Sequence, residues 1–156
     1  MTATGTAPRL ADVRGALASV HDPEYPGVSI VDLGLLVDVR LDDGRAEVDL
    51  VPTFSGCPAL AMIADDVRAA VAAVPGVRDV TVTWVADGVW TPDRLTASAR
   101  RALAQEFTVT LRRSDGSLVC PVCGSASVAD TSVVGPTRCR SLAWCPECRN
   151  PIEVLR

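Results

Sequence analysis

Two pairs of cysteines near the end of the 156-residue chain constrain its fold more than any other feature. Cys120 and Cys123 form one Cys-x-x-Cys pair, Cys145 and Cys148 form the other, and 21 residues separate the two inner cysteines. Each pair offers two thiolates on one tight turn, and two such turns facing each other give the tetrahedral four-sulfur site that zinc prefers. The spacing is one residue beyond the usual range, which a short hairpin between the turns accommodates. The sequence therefore predicts a zinc ribbon.

This zinc is predicted to be structural. Four thiolates fill the coordination sphere, so no position remains open for a catalytic water. The alternative, four cysteines without metal, leaves a tail with few core residues and nothing to hold it together. Two Cys-x-x-Cys pairs in a cytosolic protein also favour metal over disulfides. Cys139, between the pairs, is the spare cysteine, and no role is predicted for it.

The remaining cysteine, Cys57, lies in the loop TFSGCP over residues 53–58. An alternating strand pattern over residues 46–50 precedes the loop, and apolar residues at helical spacing follow it. Pro58 suits the first helical position because its missing N–H has no partner to lose. A thiol at the start of a helix is favoured as thiolate, which makes Cys57 a candidate metal ligand or nucleophile. The alternative is a small, buried, purely structural side chain.

Periodicity and turn chemistry predict the elements that surround this loop. The fold class predicted is α/β (α+β): a domain built as helix, hairpin, helix and strand around a three-stranded sheet, followed by a short helix and the ribbon. The predicted elements are a helix over residues 10–20, a proline-broken turn at 21–27, strands at 37–41 and 46–50 joined by a turn at 42–45, the helix after the loop, a strand at 80–84 and a shorter helix over 95–107.

Residues 112–117 are predicted to form a polar linker or a hairpin turn, and the domain boundary is placed there. The predicted organisation is a disordered tail over residues 1–9, a domain over 10–113 and the ribbon over 114–156.

Composition excludes several functions. The net charge of −4 is opposite in sign to that of most nucleic-acid-binding domains. Apolar runs are too short for a membrane span, and no signal peptide opens the chain, so we expect a cytoplasmic protein. His21, the only histidine, lies in the proline-broken turn, which argues against Ser-His-Asp chemistry. No glycine-rich phosphate loop is present.

Three sequence motifs together resemble a known family. Residues 22–26 (DPEYP), 30–35 (IVDLGL) and 53–58 (TFSGCP) are similar to the signature of the iron–sulfur assembly domains that include SufT-like proteins. The tail, with Gly135, Thr137 and Cys139 between its cysteine pairs, resembles the ribbon of the PaaD (PaaJ) family, whose members accompany the phenylacetyl-CoA epoxidase. The resemblance covers nearly all of residues 10–156.

This resemblance implies an auxiliary protein that is not itself an enzyme. Its role would be to help assemble or insert an iron–sulfur cluster into a partner such as the reductase of a phenylacetyl-CoA epoxidase system. Carried over to this sequence, the site comprises Cys57, with Thr53 and Gly56 shaping its loop and Asp22 and Glu24 nearby as supporting or transient ligand groups. Iron or an iron–sulfur cluster would be held at Cys57 only transiently.

Two other functions stay open at this stage. The first is a thiol-dependent enzyme that uses Cys57, which would lose its turnover in a Cys57→Ser variant. The second is a zinc-ribbon protein that binds nucleic acid or acts as a scaffold, for which a salt-dependent shift of DNA mobility would be the sign. The sequence leaves the oligomeric state open, a homodimer included.

Overall fold

The computed structural model describes residues 7–86 and 88–155, which divide into two compact units with one sheet each. The first unit runs to Pro52 and resumes over Pro58–Val89, and the second consists of Thr53–Cys57 and the chain from Trp90 onward. The predicted mixed α/β architecture is confirmed. Most of the predicted tail lies outside the described residues, which begin at residue 7.

A β-hairpin forms the centre of the first unit. Strands β1 (Leu36–Asp42) and β2 (Arg45–Leu50) pair antiparallel, as predicted. Asp43 and Gly44 form the turn with φ angles of 41° and 76°. Positive φ at both central residues matches the right-handed twist of the strands, and this requirement selects Asp-Gly at such a turn. Turn chemistry therefore fixes the register of the hairpin.

Helix α2 (Leu60–Ala72) connects β2 to β3 (Asp79–Trp84), and β3 lies parallel to β2. The crossover helix allows this pairing, because two parallel strands cannot be joined by a tight turn. α2 buries its apolar stripe, and α1 (Leu10–Ala18) buries Val13 and Leu17. The three-stranded sheet with two helices is the predicted arrangement.

All three helices differ from their predicted ranges. The third, predicted over 95–107, runs over Ala97–Gln105 because the Thr96 hydroxyl caps it, accepting the N–H of Ala99 (3.2 Å). α2 begins at Leu60, two residues after the predicted start at Pro58, and its N-cap is Ala59. Residues 58 and 59 instead form a turn, and the Ile63 N–H donates the first helical hydrogen bond to Ala59 O (2.9 Å). α1 ends at Ala18, because the Ser19 hydroxyl bonds back to a carbonyl of the last turn. Val20 is nevertheless buried, as its spacing predicts.

The second unit carries the ribbon. A 3-10 turn (Pro92–Arg94) and helix α3 (Ala97–Gln105) lead into a four-stranded sheet of order β4-β7-β6-β5. The predicted hairpin between the cysteine pairs is present as two antiparallel strands, and a turn closed from Arg113 N–H to Ser117 O (3.0 Å) precedes the ribbon. The strands of this sheet are β4 (Val109–Leu111), β5 (Ala129–Ser132), β6 (Arg140–Cys145) and β7 (Asn150–Leu155).

Residues 90–113 belong to the same compact unit as the ribbon, because β4 pairs with β7. The domain limits 10–113 and 114–156 stay a prediction. None of the helices within the described residues has the length and apolar character that a membrane crossing requires.

Candidate functional site

The four paired cysteines lie on two turns with the same construction. In the first turn, the N–H of Gly124 donates to Cys120 O (2.9 Å); in the second, the N–H of Arg149 donates to Cys145 O (2.9 Å). Both donor residues have left-handed backbone, with φ of 76° at Gly124 and 58° at Arg149. Each turn therefore reverses the chain within four residues and presents two sulfur atoms on one side.

The four sulfur atoms meet in one group, as the spacing predicts. All of them lie within 4.8 Å of one another. Cys120 Sγ is 3.5 Å from Cys148 Sγ, and Cys123 Sγ is 3.6 Å from Cys145 Sγ. A tetrahedral site with metal–sulfur bonds of about 2.3 Å requires sulfur atoms about 3.8 Å apart. The donor set and its dimensions thus fit one metal ion bound by four thiolates, which is the geometry of zinc and of iron alike.

Two of the four thiols have shifted pKa values. Hydrogen bonding by Asn150, assisted by the neighbouring sulfurs, lowers the pKa of Cys148 to about 7. A bond from the backbone of Ser125 acts to lower the pKa of Cys123, but partial desolvation and hydrogen bonding with the adjacent cysteine sulfurs outweigh it and raise that pKa to about 12. The pKa of one thiol in the group is thus lowered and that of another is raised. A divalent cation would stabilise all four as thiolates, because cysteine binds a metal in its deprotonated form.

The surroundings of the group are those of a structural site. Cys120 and Cys145 are buried in the ribbon core, whereas Cys123 is exposed. Cys139 is also buried, but it is not one of the four; its Sγ lies 3.1 Å from Thr137 Oγ1. The spare cysteine therefore has its own hydrogen-bond partner apart from the metal group.

The loop that holds Cys57 is a tight turn. The N–H of Cys57 donates to Phe54 O (3.1 Å), and the Cys57 side chain is partly exposed. A Cβ atom added at Gly56 would lie 2.8 Å from Cε1 of Phe54, so the ring packs against the loop only because residue 56 has no side chain. Thr53 opens the loop, and Cys57 precedes the N-cap of α2 by two residues.

Asp22 and Glu24 share one turn in the first unit. The Asp22 carboxylate accepts the N–H of Glu24 (2.8 Å), and the N–H of Tyr25 donates to Asp22 O (3.2 Å). Asp22 therefore shapes its own turn, and the side chains of both acids are partly buried. Their approach to Cys57 stays a prediction.

One feature near this turn was missed in the sequence. The hydroxyl of Ser29, which is buried, donates to Asp32 Oδ2 (2.8 Å) and accepts the N–H of Asp32 (3.0 Å). Asp32 belongs to the IVDLGL motif, for which no residue role was predicted. The sequence signal for this pair is a serine three residues before an aspartate, a spacing at which the two side chains can hydrogen-bond within one turn.

Two family profiles match different parts of the chain. The profile described as iron-sulfur cluster assembly protein matches residues 10–84. The profile described as PaaD zinc beta ribbon domain matches residues 104–156.

Known proteins match either nearly the whole chain or about three fifths of it. A protein of Escherichia coli (strain K12) named as a putative 1,2-phenylacetyl-CoA epoxidase subunit is 29% identical over 99% of this chain and 96% of its own length. The Fe-S protein maturation auxiliary factor YitW of Bacillus subtilis (strain 168) is 42% identical over 59% of this chain and 90% of its own length.

Among solved structures, a domain of unknown function (DUF59) from Bacillus anthracis matches with a TM-score of 0.58 and 34% identity. The match covers 61% of this chain and 91% of that domain.

Proposed function

This chain belongs to the iron–sulfur cluster assembly protein family, and we propose that it helps to assemble or insert an iron–sulfur cluster into one partner protein. The partner we infer is the reductase of a phenylacetyl-CoA epoxidase system. The observation that supports this choice is the relative from Escherichia coli, which is similar over both parts of the chain in the same order. The Bacillus subtilis relative, in contrast, matches only 59% of this chain.

The ribbon's metal is zinc in this proposal, and its role is structural. Four thiolates with no histidine or water position leave the ion without room for a substrate. The match to a zinc ribbon profile over residues 104–156 supports zinc over iron. The ribbon then serves as a rigid surface that a client can recognise.

Cys57 is the residue we assign to the cluster or to iron in transit. It is a cysteine outside the four-sulfur group that is partly exposed, whereas Cys139 is buried. A single accessible thiolate suits a carrier, because transfer to a client requires a ligand that is easily exchanged. Thr53 and Gly56 shape the loop, and Asp22 and Glu24 would supply carboxylates near the thiol.

Direct catalysis is not part of the proposal. The Bacillus subtilis relative is named as an auxiliary factor of Fe-S protein maturation, not as a catalyst. The epoxidase chemistry itself would belong to other subunits, since diiron oxygenases take their ligands from Glu-x-x-His motifs and this chain has one histidine.

The test compares two cysteine substitutions in cells that co-express the chain with the reductase. Cys57→Ser should leave the melting temperature nearly unchanged, because the side chain is partly exposed, and should leave the reductase poor in iron. Cys139→Ser is the matched control: it replaces a buried thiol, so it should lower the melting temperature and leave the reductase loaded. A destabilised Cys57→Ser protein whose client keeps its iron would mean that Cys57 is only a structural residue.

A further inference from the structure

Strand β3 lies at an open edge of the first unit's sheet. The strand order is β1-β2-β3, so β3 has a neighbouring strand on one side only. The β2 residues on the buried face of the sheet are at most 1% exposed. The β3 residues paired with them are partly exposed: Val80, Val82 and Trp84. The apolar face of β3 is therefore incompletely covered.

The free side of β3 carries the backbone groups of alternate residues. The N–H of Val85, directly after the strand, donates to Leu50 O of β2 (2.8 Å). Backbone groups along a strand point alternately to its two sides, so the neighbouring residue directs its own N–H and C=O away from β2. The residues with outward N–H and C=O groups are then Val80, Val82 and Trp84. Among the described residues, no strand pairs with this side of β3.

The opposite edge of the sheet is protected, whereas β3 is not. β1 exposes Asp38, Arg40 and Asp42, and its register with β2 shifts between Leu36 and Asp38. Charged side chains and bulges are features that keep edge strands from pairing with other molecules. β3 has no charged residue after Asp79, no proline and an unbroken register with β2. Its edge therefore remains a template for a further strand.

We propose that the free edge of β3 pairs with β3 of a second copy of this chain, antiparallel about a twofold axis at Val82. In this register Val82 faces its own counterpart, Val80 faces Trp84 of the second copy, and Thr81 faces Thr83. The residues with outward backbone groups then face one another, and each such pair exchanges both of its N–H···O bonds. The two sheets become one continuous sheet with a symmetric interface.

A second copy fits this edge because the sequence of β3 is complementary to itself in that register. The threonines meet across the axis, and each tryptophan lies opposite a β-branched valine; both kinds of cross-strand pair stabilise antiparallel sheets. Asp79, the one charged residue of the strand, faces Val85, so the two carboxylates lie at opposite ends of the strand pair. The dimer is separate from the proposed function in iron–sulfur assembly, and either can fail without the other.

Sedimentation equilibrium of the full-length protein tests the proposal. The native chain should show a monomer–dimer equilibrium with a Kd of about 10–100 µM, because a single strand pair is a small interface. Thr81→Arg combined with Thr83→Arg should raise the Kd by about tenfold or more, since the new guanidinium groups of the two copies would face each other. The double variant should keep the native fold, because its new charges would lie beside Glu47 and Asp49 of β2.

Ala69→Arg combined with Ala72→Arg is the matched control. Both alanines are exposed on α2, so this variant gains the same charge without a change in β3. Its Kd should stay within about threefold of the native value, because well-separated surface charges are screened by salt.

Residue-resolved hydrogen exchange of the native protein locates the interface. The amides of Val80, Val82 and Trp84 should be protected at concentrations above the Kd and exchange rapidly below it. The amides of Thr81 and Thr83, which point to β2, should be protected at both concentrations.

Three results would overturn the proposal: a monomer at concentrations up to about 1 mM, a dimer that is unaffected by the arginine pair in β3, or a dimer in which the Val82 amide stays unprotected. Protection of this edge only after the reductase is added would assign it to a strand of the client, and it would equally overturn pairing with a second copy.

Discussion

Replacing Cys145 by serine should unfold the ribbon and not merely loosen it. The substitution removes one of four sulfurs from a group within 4.8 Å and leaves a buried hydroxyl that binds the metal poorly. Structural zinc sites contribute about 10–16 kcal/mol of apparent binding free energy. The large apolar residues of the ribbon core, Leu118, Ile152 and Val154, each contribute about 1.5–3 kcal/mol. The free energy of zinc binding exceeds the contribution of these three core residues, so the ribbon should not stay folded once the zinc is lost.

Two measurements check this expectation. Metal analysis should find one equivalent of zinc in the native protein and in Cys139→Ser, and less than about a fifth of an equivalent in Cys145→Ser. Trypsin reports folding, because the chain has no lysine and every cut therefore falls after an arginine. Cleavage after Arg140 and Arg149 in the ribbon should accelerate by about a hundredfold or more when zinc is lost. A Cys145→Ser protein that keeps its zinc, or that stays resistant to trypsin without zinc, would show that the ribbon does not depend on this ligand for its fold.

Three glycine substitutions give further predictions. In Gly15→Ala, within α1, the added Cβ has no other atom within 4 Å. Because alanine favours a helix more than glycine does, the free energy of unfolding in urea should rise by about 0.5–1 kcal/mol. Gly44→Ala should destabilise the protein by about 2 kcal/mol, because φ is +76° and the new Cβ would lie 2.8 Å from Gly76 O. Equal urea midpoints for Gly15→Ala and Gly44→Ala would contradict the hairpin geometry. Gly56→Ala should displace the Phe54 ring at a cost of about 1 kcal/mol or less, yet lower the iron content of the co-expressed client; a fully loaded client would mean that the loop's shape is unimportant.

Local chemistry explains why much of the fold was predictable. The hairpin follows from Asp-Gly in its turn, and the four-sulfur group follows from the spacing of two cysteine pairs. α2 was recognised by its apolar period, but its start was placed two residues early. The reason is that Pro58 is compatible both with a first helical turn and with the turn that it actually forms before Ala59.

Long-range features were not predictable in the same way. A cavity in the second unit is built from segments around Thr91, Leu111 and Asp130, which are far apart in sequence and share no periodicity. Its Arg112–Asp130 ion pair joins residues 18 positions apart. No local pattern encodes such a contact, because it depends on how the strands of the ribbon sheet are ordered.

Omitting the chain from cells that make the reductase tests whether this chain loads a client with its cluster. The reductase would be expressed with and without it, and iron and acid-labile sulfide per reductase polypeptide would be measured in the purified protein. We expect a full cluster complement with the chain, a marked deficit without it, and recovery with the native sequence but not with Cys57→Ser. Equal cluster content in the reductase expressed with and without the chain would mean that the chain does not load this client.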